Sequence, residues 1–151
     1  MTKALTRCAV VALLALVAGC GGATTEPEEQ VRAWVETMHE AAENKDRGAI
    51  LERIADGYTD ARGNTREDVG KLLRGYFLRQ GTIVLLVNID EIEIVGGSAA
   101  NVELTVGMAG TGGGSLGLSA DAYRFELELE ADGDDWQLLS AAWGEFGQPV
   151  R

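Results

Sequence analysis

The sequence predicts an α+β fold in which N-terminal helices pack on a curved antiparallel sheet. Three observations carry this expectation. Apolar residues recur at helical spacing up to about residue 80. From Thr82 onward the period drops to two. The strand-like segments then follow one another through short turns instead of alternating with helices, which argues against a parallel α/β sheet.

The first helix is expected from about Glu28 to Glu43. Val31, Trp34, Val35, Met38 and Ala42 form one apolar stripe, with Glu36, Glu40 and Glu43 on the other side. Asp46 is an N-cap candidate for a short second helix carrying Ile50, Leu51 and Ile54, with Gly57 as its C-cap. Residues 58–64 (YTDARGN) read as a brief extended piece and a turn. Thr65 caps a third helix, with Asp68 three residues on in a variant of the capping-box pattern. Val69, Leu72, Leu73, Tyr76 and Phe77 fit its apolar face. Gly70 and Gly75 interrupt it, each at up to about 1 kcal/mol relative to alanine; close packing against a sheet would account for them. Gly81 ends it.

Ile83, Leu85, Val87 and Ile89 alternate, but Ile92 and Ile94 fall out of phase with them. A β-bulge near Asp90 and Glu91 restores the register and bends the strand. Gly96-Gly97 marks a hairpin. Val102, Leu104, Val106 and Met108 form the next apolar face, and a glycine-rich loop runs from Gly110 to Ser119. Tyr123, Phe125, Leu127 and Leu129 alternate with Arg124, Glu126, Glu128 and Glu130. Asp132-Gly133 makes the last hairpin, and Trp136 to Trp143 the last strand.

The N-terminus carries a different signal. Lys3 and Arg7 precede an apolar run of eleven residues, Cys8 to Ala18, too short for a span of about 20. The ending Leu16-Val17-Ala18-Gly19-Cys20 resembles the bacterial lipobox. That resemblance implies a signal peptide over 1–19 and a lipidated Cys20, with 20–27 as a short tether, and hence a membrane partner through Cys20. Gly21 stands where an aspartate would mark inner-membrane retention, so the resemblance points to the periplasmic face of the outer membrane. Removal of 19 of 151 residues leaves 132, one domain by length. Its expected extent is 28–145, with 146–151 as a tail. Of the two cysteines only Cys20 remains, which excludes a disulfide, cysteine catalysis and cysteine-ligated zinc. Thirteen basic residues less Lys3 and Arg7 leave 11 against 24 acidic ones, a net charge of −13. Such a surface repels nucleic acid.

The order of elements resembles the nuclear-transport-factor-2-like superfamily, also called a cystatin-like cone. Ile54-Ala55-Asp56-Gly57-Tyr58-Thr59-Asp60 looks like its passage from helix two into the first strand. Asp134-Asp135-Trp136 through Trp143 looks like its closing strand. Arg74-Gly75-Tyr76-Phe77-Leu78-Arg79 is similar to a stretch of small gammaproteobacterial lipoproteins. The resemblance implies a hollow between helices and sheet, lined from among Trp34, Met38, Tyr58, Tyr76 and Tyr123. It also implies homodimers through the open sheet face.

Isomerases of this superfamily use a carboxylate base near the first strand and a tyrosine–acid pair. Asp60 matches the base by position, but neither the acid nor the tyrosine has a counterpart. A turn aspartate bonded to its own backbone is the expected role of Asp60. His39, the one histidine, has Glu36 at i−3, yet no second Glu-x-x-His completes a metal site. Its expected place is the edge of the apolar stripe, polar tip in water. The run 107–114 lacks a phosphate-loop ending, and Asp132-Gly133-Asp134-Asp135 lacks the other ligands of a calcium loop. No cofactor and no metal are implied. The expectation is therefore a non-catalytic, lipid-anchored module that binds an envelope protein or an apolar small molecule. The alternative is a small isomerase- or dehydratase-like enzyme with an acid–base residue in the cone.

Overall fold

The computed structural model describes residues 26–111, 118–133 and 135–151. The signal segment, Cys20, the tether to residue 25, the centre of the glycine-rich loop and Asp134 lie outside the described residues. Three helices precede four strands: α1 (Pro27–Glu43), α2 (Arg47–Glu52), α3 (Arg66–Arg79), β1 (Ile83–Val95), β2 (Ala99–Thr111), β3 (Leu118–Asp132) and β4 (Asp135–Glu145). The strands form one antiparallel meander in the order β1-β2-β3-β4. This is the expected α+β cone.

Local chemistry sets the helix ends. Pro27 opens α1 at a position where its missing N–H costs nothing. Asp46 caps α2 by accepting from the Ala49 N–H at 3.0 Å. Thr65 and Asp68 form a full capping box at α3. Two expectations are corrected here. The cap of α2 is Arg53, not Gly57, because Ile54 already pairs with Leu138 of β4 and pulls the chain out of the helix. Gly70 makes room for α2, not for the sheet: a Cβ there would lie 3.2 Å from Leu51 Cδ1.

The sheet bends where the sequence loses phase. Ile89 faces Leu104 and Glu91 faces Glu103, so Asp90 is the extra residue of a bulge. A second irregularity, absent from the sequence reading, sets Leu129 opposite Leu138 while Glu128 faces Ser140. Gly96 and Gly97 adopt φ of 62° and 80° in the first hairpin, conformations that side chains resist. The concave face carries Val102, Leu104, Val106, Leu127 and Leu129, all buried. The other face carries Glu126, Glu128 and Glu130, all exposed.

Helix α1 spans the hollow, touching both edge strands. At its start Gln30 Oε1 accepts from Trp136 Nε1 of β4 at 3.0 Å. At its end Glu43 accepts the Leu85 N–H of β1 at 2.7 Å, which satisfies an edge donor. The segment after α2 is stitched to the other edge: Ala55 and Ala61 donate to Leu138 and Ala141 at 3.0 and 2.9 Å. Helix α3 leans on α2 and stands away from the sheet. Its C-terminal end is held by Lys45, a left-handed residue (φ 56°) whose Nζ donates to the Gln80 carbonyl at 2.6 Å and to that of Gly81.

Candidate functional site

The gap between α3 and the sheet is a cavity of about 510 Å³. Its walls follow from the apolar faces described above. Helix α1 contributes Trp34, Met38 and His39, and α3 contributes Val69, Leu73, Tyr76 and Phe77. The sheet closes the other side with Val87, Val106, Phe125 and Trp143 among others, and Tyr58 enters from the segment after α2. Trp34 and Tyr58 are each 4% exposed. A cavity of this size and character is the usual form of a small-molecule site.

Of the residues considered from the sequence, Trp34, Met38, Tyr58 and Tyr76 are brought together around this space. Tyr123 is not: it pairs with Val106 and Glu145 near the end of the concave face, beyond Phe125, and tilts against that ring at 6.5 Å. Alternation puts it on the right face, yet it is Val106 and Met108 of the neighbouring strand, not Tyr123, that line the cavity there. Burial and the nearby Asp121 and Glu145 raise its phenol above the ordinary range.

Asp60 lies outside the cavity lining. It is 5% exposed, and Oδ1 accepts the N–H groups of Arg62 and Asn64 at 2.9 and 2.8 Å. Oδ2 accepts from Asn64 Nδ2 at 2.7 Å. The carboxylate thus organises the turn over residues 60–64, and with it the placement of Tyr58. Burial, with Asp60 adding its charge, pushes the Tyr58 hydroxyl up to about 12. The phenol stays protonated throughout the physiological range.

His39 departs from expectation. Its ring lines the cavity, and its Nε2 is buried without a hydrogen-bond partner, where a tip in water was expected. Nε2 lies 3.4 Å from Glu43 Oε1, and Nδ1 lies 3.7 Å from the more exposed Glu36. The Leu85 N–H, and secondarily the nearby His39, hold the Glu43 carboxylate below its ordinary range. A fixed, ionised carboxylate beside an imidazole is the arrangement that orients a proton-transferring histidine. The sequence held a signal for it, the i, i+4 spacing of His39 and Glu43, which puts both on one helical face. No cluster of three or more metal-ligating side chains occurs among the described residues. No described helix is long and apolar enough to cross a membrane.

The rear wall is clamped. The Arg62 guanidinium lies 4.4 Å over the Trp143 ring and donates Nη2 to the Trp143 carbonyl at 3.1 Å. Phe125 stacks on the same ring at 6.3 Å. Trp143 also exchanges backbone hydrogen bonds with Arg151, so the C-terminal residues fold back over it.

No protein-family model matches the sequence, and no curated protein matches it. Solved structures do match in fold. A ketosteroid isomerase-like protein from Erwinia carotovora atroseptica aligns at TM-score 0.68 and 14% identity, covering 82% of this chain and 99% of that one. A proposed dehydratase of the nuclear-transport-factor-2-like family from Streptomyces avermitilis aligns at 0.69 and 14%, covering 81% and 98%. A hexachlorocyclohexane dehydrochlorinase from Novosphingobium barchaimii aligns at 0.65 and 13%, covering 82% and 89%. At these identities the likeness speaks to architecture alone: the chain has the nuclear-transport-factor-2-like fold.

Proposed function

We propose that this protein acts on an apolar small molecule held in the cone, by isomerase- or dehydratase-like proton transfer, with His39 as the transferring group. The observation that carries this is the His39–Glu43 pair set in the wall of an otherwise apolar cavity of about 510 Å³. Glu43, anchored on the Leu85 N–H, stands 3.4 Å from His39 Nε2 and orients the imidazole that would take a proton from the substrate. The phenol of Tyr58, protonated at neutral pH, is a donor available to developing negative charge. Asp60 has no part in the chemistry, since its carboxylate is committed to the turn. The fold neighbours, among them the ketosteroid isomerase-like protein and the hexachlorocyclohexane dehydrochlorinase, lend support at the level of architecture.

The reading extends to location. Cys20 carries the lipid anchor and holds the cone close to the periplasmic face of the outer membrane. The support is the order of charges, apolar run and small residues before Cys20.

The test is solvent-proton exchange. A panel of cyclic ketones, including unsaturated ones, is incubated with the protein in D2O and followed by NMR. Ketones that bind should exchange their α-protons, and His39→Gln should slow exchange by about 10²-fold or more. Binding without any exchange would overturn the catalytic reading. It would leave the second one, a non-catalytic binding module, which the almost wholly hydrocarbon wall of the cavity favours.

A further inference from the structure

One cationic residue, Arg79, both borders the cavity and reaches solvent. Arg79 is the sole lysine or arginine among the described residues lining the cavity. Of the other cations nearby, Arg47 and Arg74 also make no ion pair among the described residues but do not line the cavity, and the rest are engaged. Arg66 pairs with Asp56, Lys71 with Glu67 and Asp68, and Arg53 with Asp135. Lys45 is bound to carbonyls at the end of α3. Arg79 makes no ion pair among the described residues. It stands exposed in the last turn of α3, and its guanidinium lies back along the helix near Gly75. Arg79 therefore stands at the rim of a space whose walls are almost wholly hydrocarbon, with His39, Tyr58 and Tyr76 as the polar residues among them.

We infer that the natural ligand is a single-headed anionic amphiphile: an apolar body under α3 and one carboxylate, or a group of the same charge, at Arg79. This rests on the reading of the cavity as the binding site. An arginine on a low-dielectric rim pairs with a carboxylate in two parallel hydrogen bonds, and such charge-assisted bonds are the strong ones. In the last turn of α3 the cation also complements the helix dipole; a neutral ligand would gain nothing further from it, and a cationic one would be repelled by it. The strongly acidic surface opposes anions in general, so a local cation is what an anionic ligand requires here.

The experiment compares decanoate, decanol and decylammonium, each below its aggregation limit. Binding is read from the fluorescence of Trp34 and Trp143, which line the cavity, and from amide shifts in NMR. Decanoate should bind at least tenfold more tightly than decanol, and decylammonium most weakly. Arg79→Gln should erase the preference for decanoate while leaving decanol unchanged, and Arg79→Lys should restore part of it. Arg74→Gln changes net charge equally on the same helix, but Arg74 is exposed and does not line the cavity. It should keep the preference. Equal binding of decanoate and decanol to the wild type would overturn the anionic head and leave the cavity standing as an apolar site. A preference that survives Arg79→Gln, or is lost equally in Arg74→Gln, would overturn Arg79 as its source. Binding of none of the three would overturn the cavity reading as well.

Discussion

Replacing Asp60 separates an architectural carboxylate from a catalytic one. Asp60→Ala deletes an acceptor of three hydrogen bonds, two from the backbone N–H groups of Arg62 and Asn64 and one from Asn64 Nδ2. Each lost partner leaves a donor costing about 1 kcal/mol or more, although water reaches part of this turn. The expected loss is about 2–4 kcal/mol, or roughly 8–15 °C in Tm for a domain of this size. Asp60→Asn keeps an amide oxygen where Oδ1 accepts the two backbone donors. It disturbs only the contact with Asn64 Nδ2, at about 1 kcal/mol. Urea denaturation followed by tryptophan fluorescence measures both. Tyr58 hangs from the same segment, so Asp60→Ala should also weaken binding of a neutral apolar probe, and Asp60→Asn should not. Equal destabilisation by the two variants, or an Asp60→Ala protein within about 1 kcal/mol of wild type, would refute the reasoning.

Trp136 is 2% exposed and bonded to Gln30, so Trp136→Ala should cost about 3–5 kcal/mol in urea denaturation; a near-neutral result would place the ring outside the core. The phenol of Tyr58 titrates at about 12 when folded, against an ordinary 10. A raised value means that the folded state holds its proton longer, so the stabilisation is complete below pH 10 and is lost as pH rises to about 12. The loss should approach about 3 kcal/mol at roughly 1.4 kcal/mol per unit, and Tyr58→Phe should flatten the pH profile over that window. Cys20→Ser should abolish incorporation of a tagged fatty acid, and equal labelling of variant and wild type would remove the lipid anchor.

Much of the fold was legible because each element announces itself locally. The stripe from Val31 to Met38, the Thr65–Asp68 box and the period-two segments after Thr82 are short-range signals. Even the bulge at Asp90 showed as a break in phase between Ile89 and Ile92. What stayed hidden depends on contacts remote in sequence. The shift in β4 near Leu139 leaves no mark, since Gln137, Leu138 and Leu139 give no alternation to break. Gly70 reads as a defect until Leu51 is seen beside it. His39 reads as a surface residue because the stripe alone does not reveal that α3 stands off the sheet. That standoff leaves the imidazole between Glu43 and a hollow rather than in water. Tyr123 sits on the concave face, as alternation requires, but alternation says nothing of which side chains on that face reach a cavity.

The hollow itself constrains what the molecule can be. A dry, rigid cavity of about 510 Å³ would cost roughly 12 kcal/mol at about 24 cal/mol per Å³, as much as the whole stability of an ordinary domain. The chain avoids that cost by leaving the space open past α3, where Leu72 is 56% exposed at the rim. Water that enters meets walls that are almost wholly hydrocarbon and offer it few partners, so it is poorly held. Displacing such water is favourable to an apolar guest. Closing the gap by docking α3 on the sheet would bury Val69, Leu73 and Phe77 more fully, yet Lys45 holds the end of the helix where it is. The capping lysine, the glycine that seats α3 on α2 and the clamp on Trp143 all preserve a space that packing alone would remove. Such an arrangement is understandable when something other than solvent is meant to fill it.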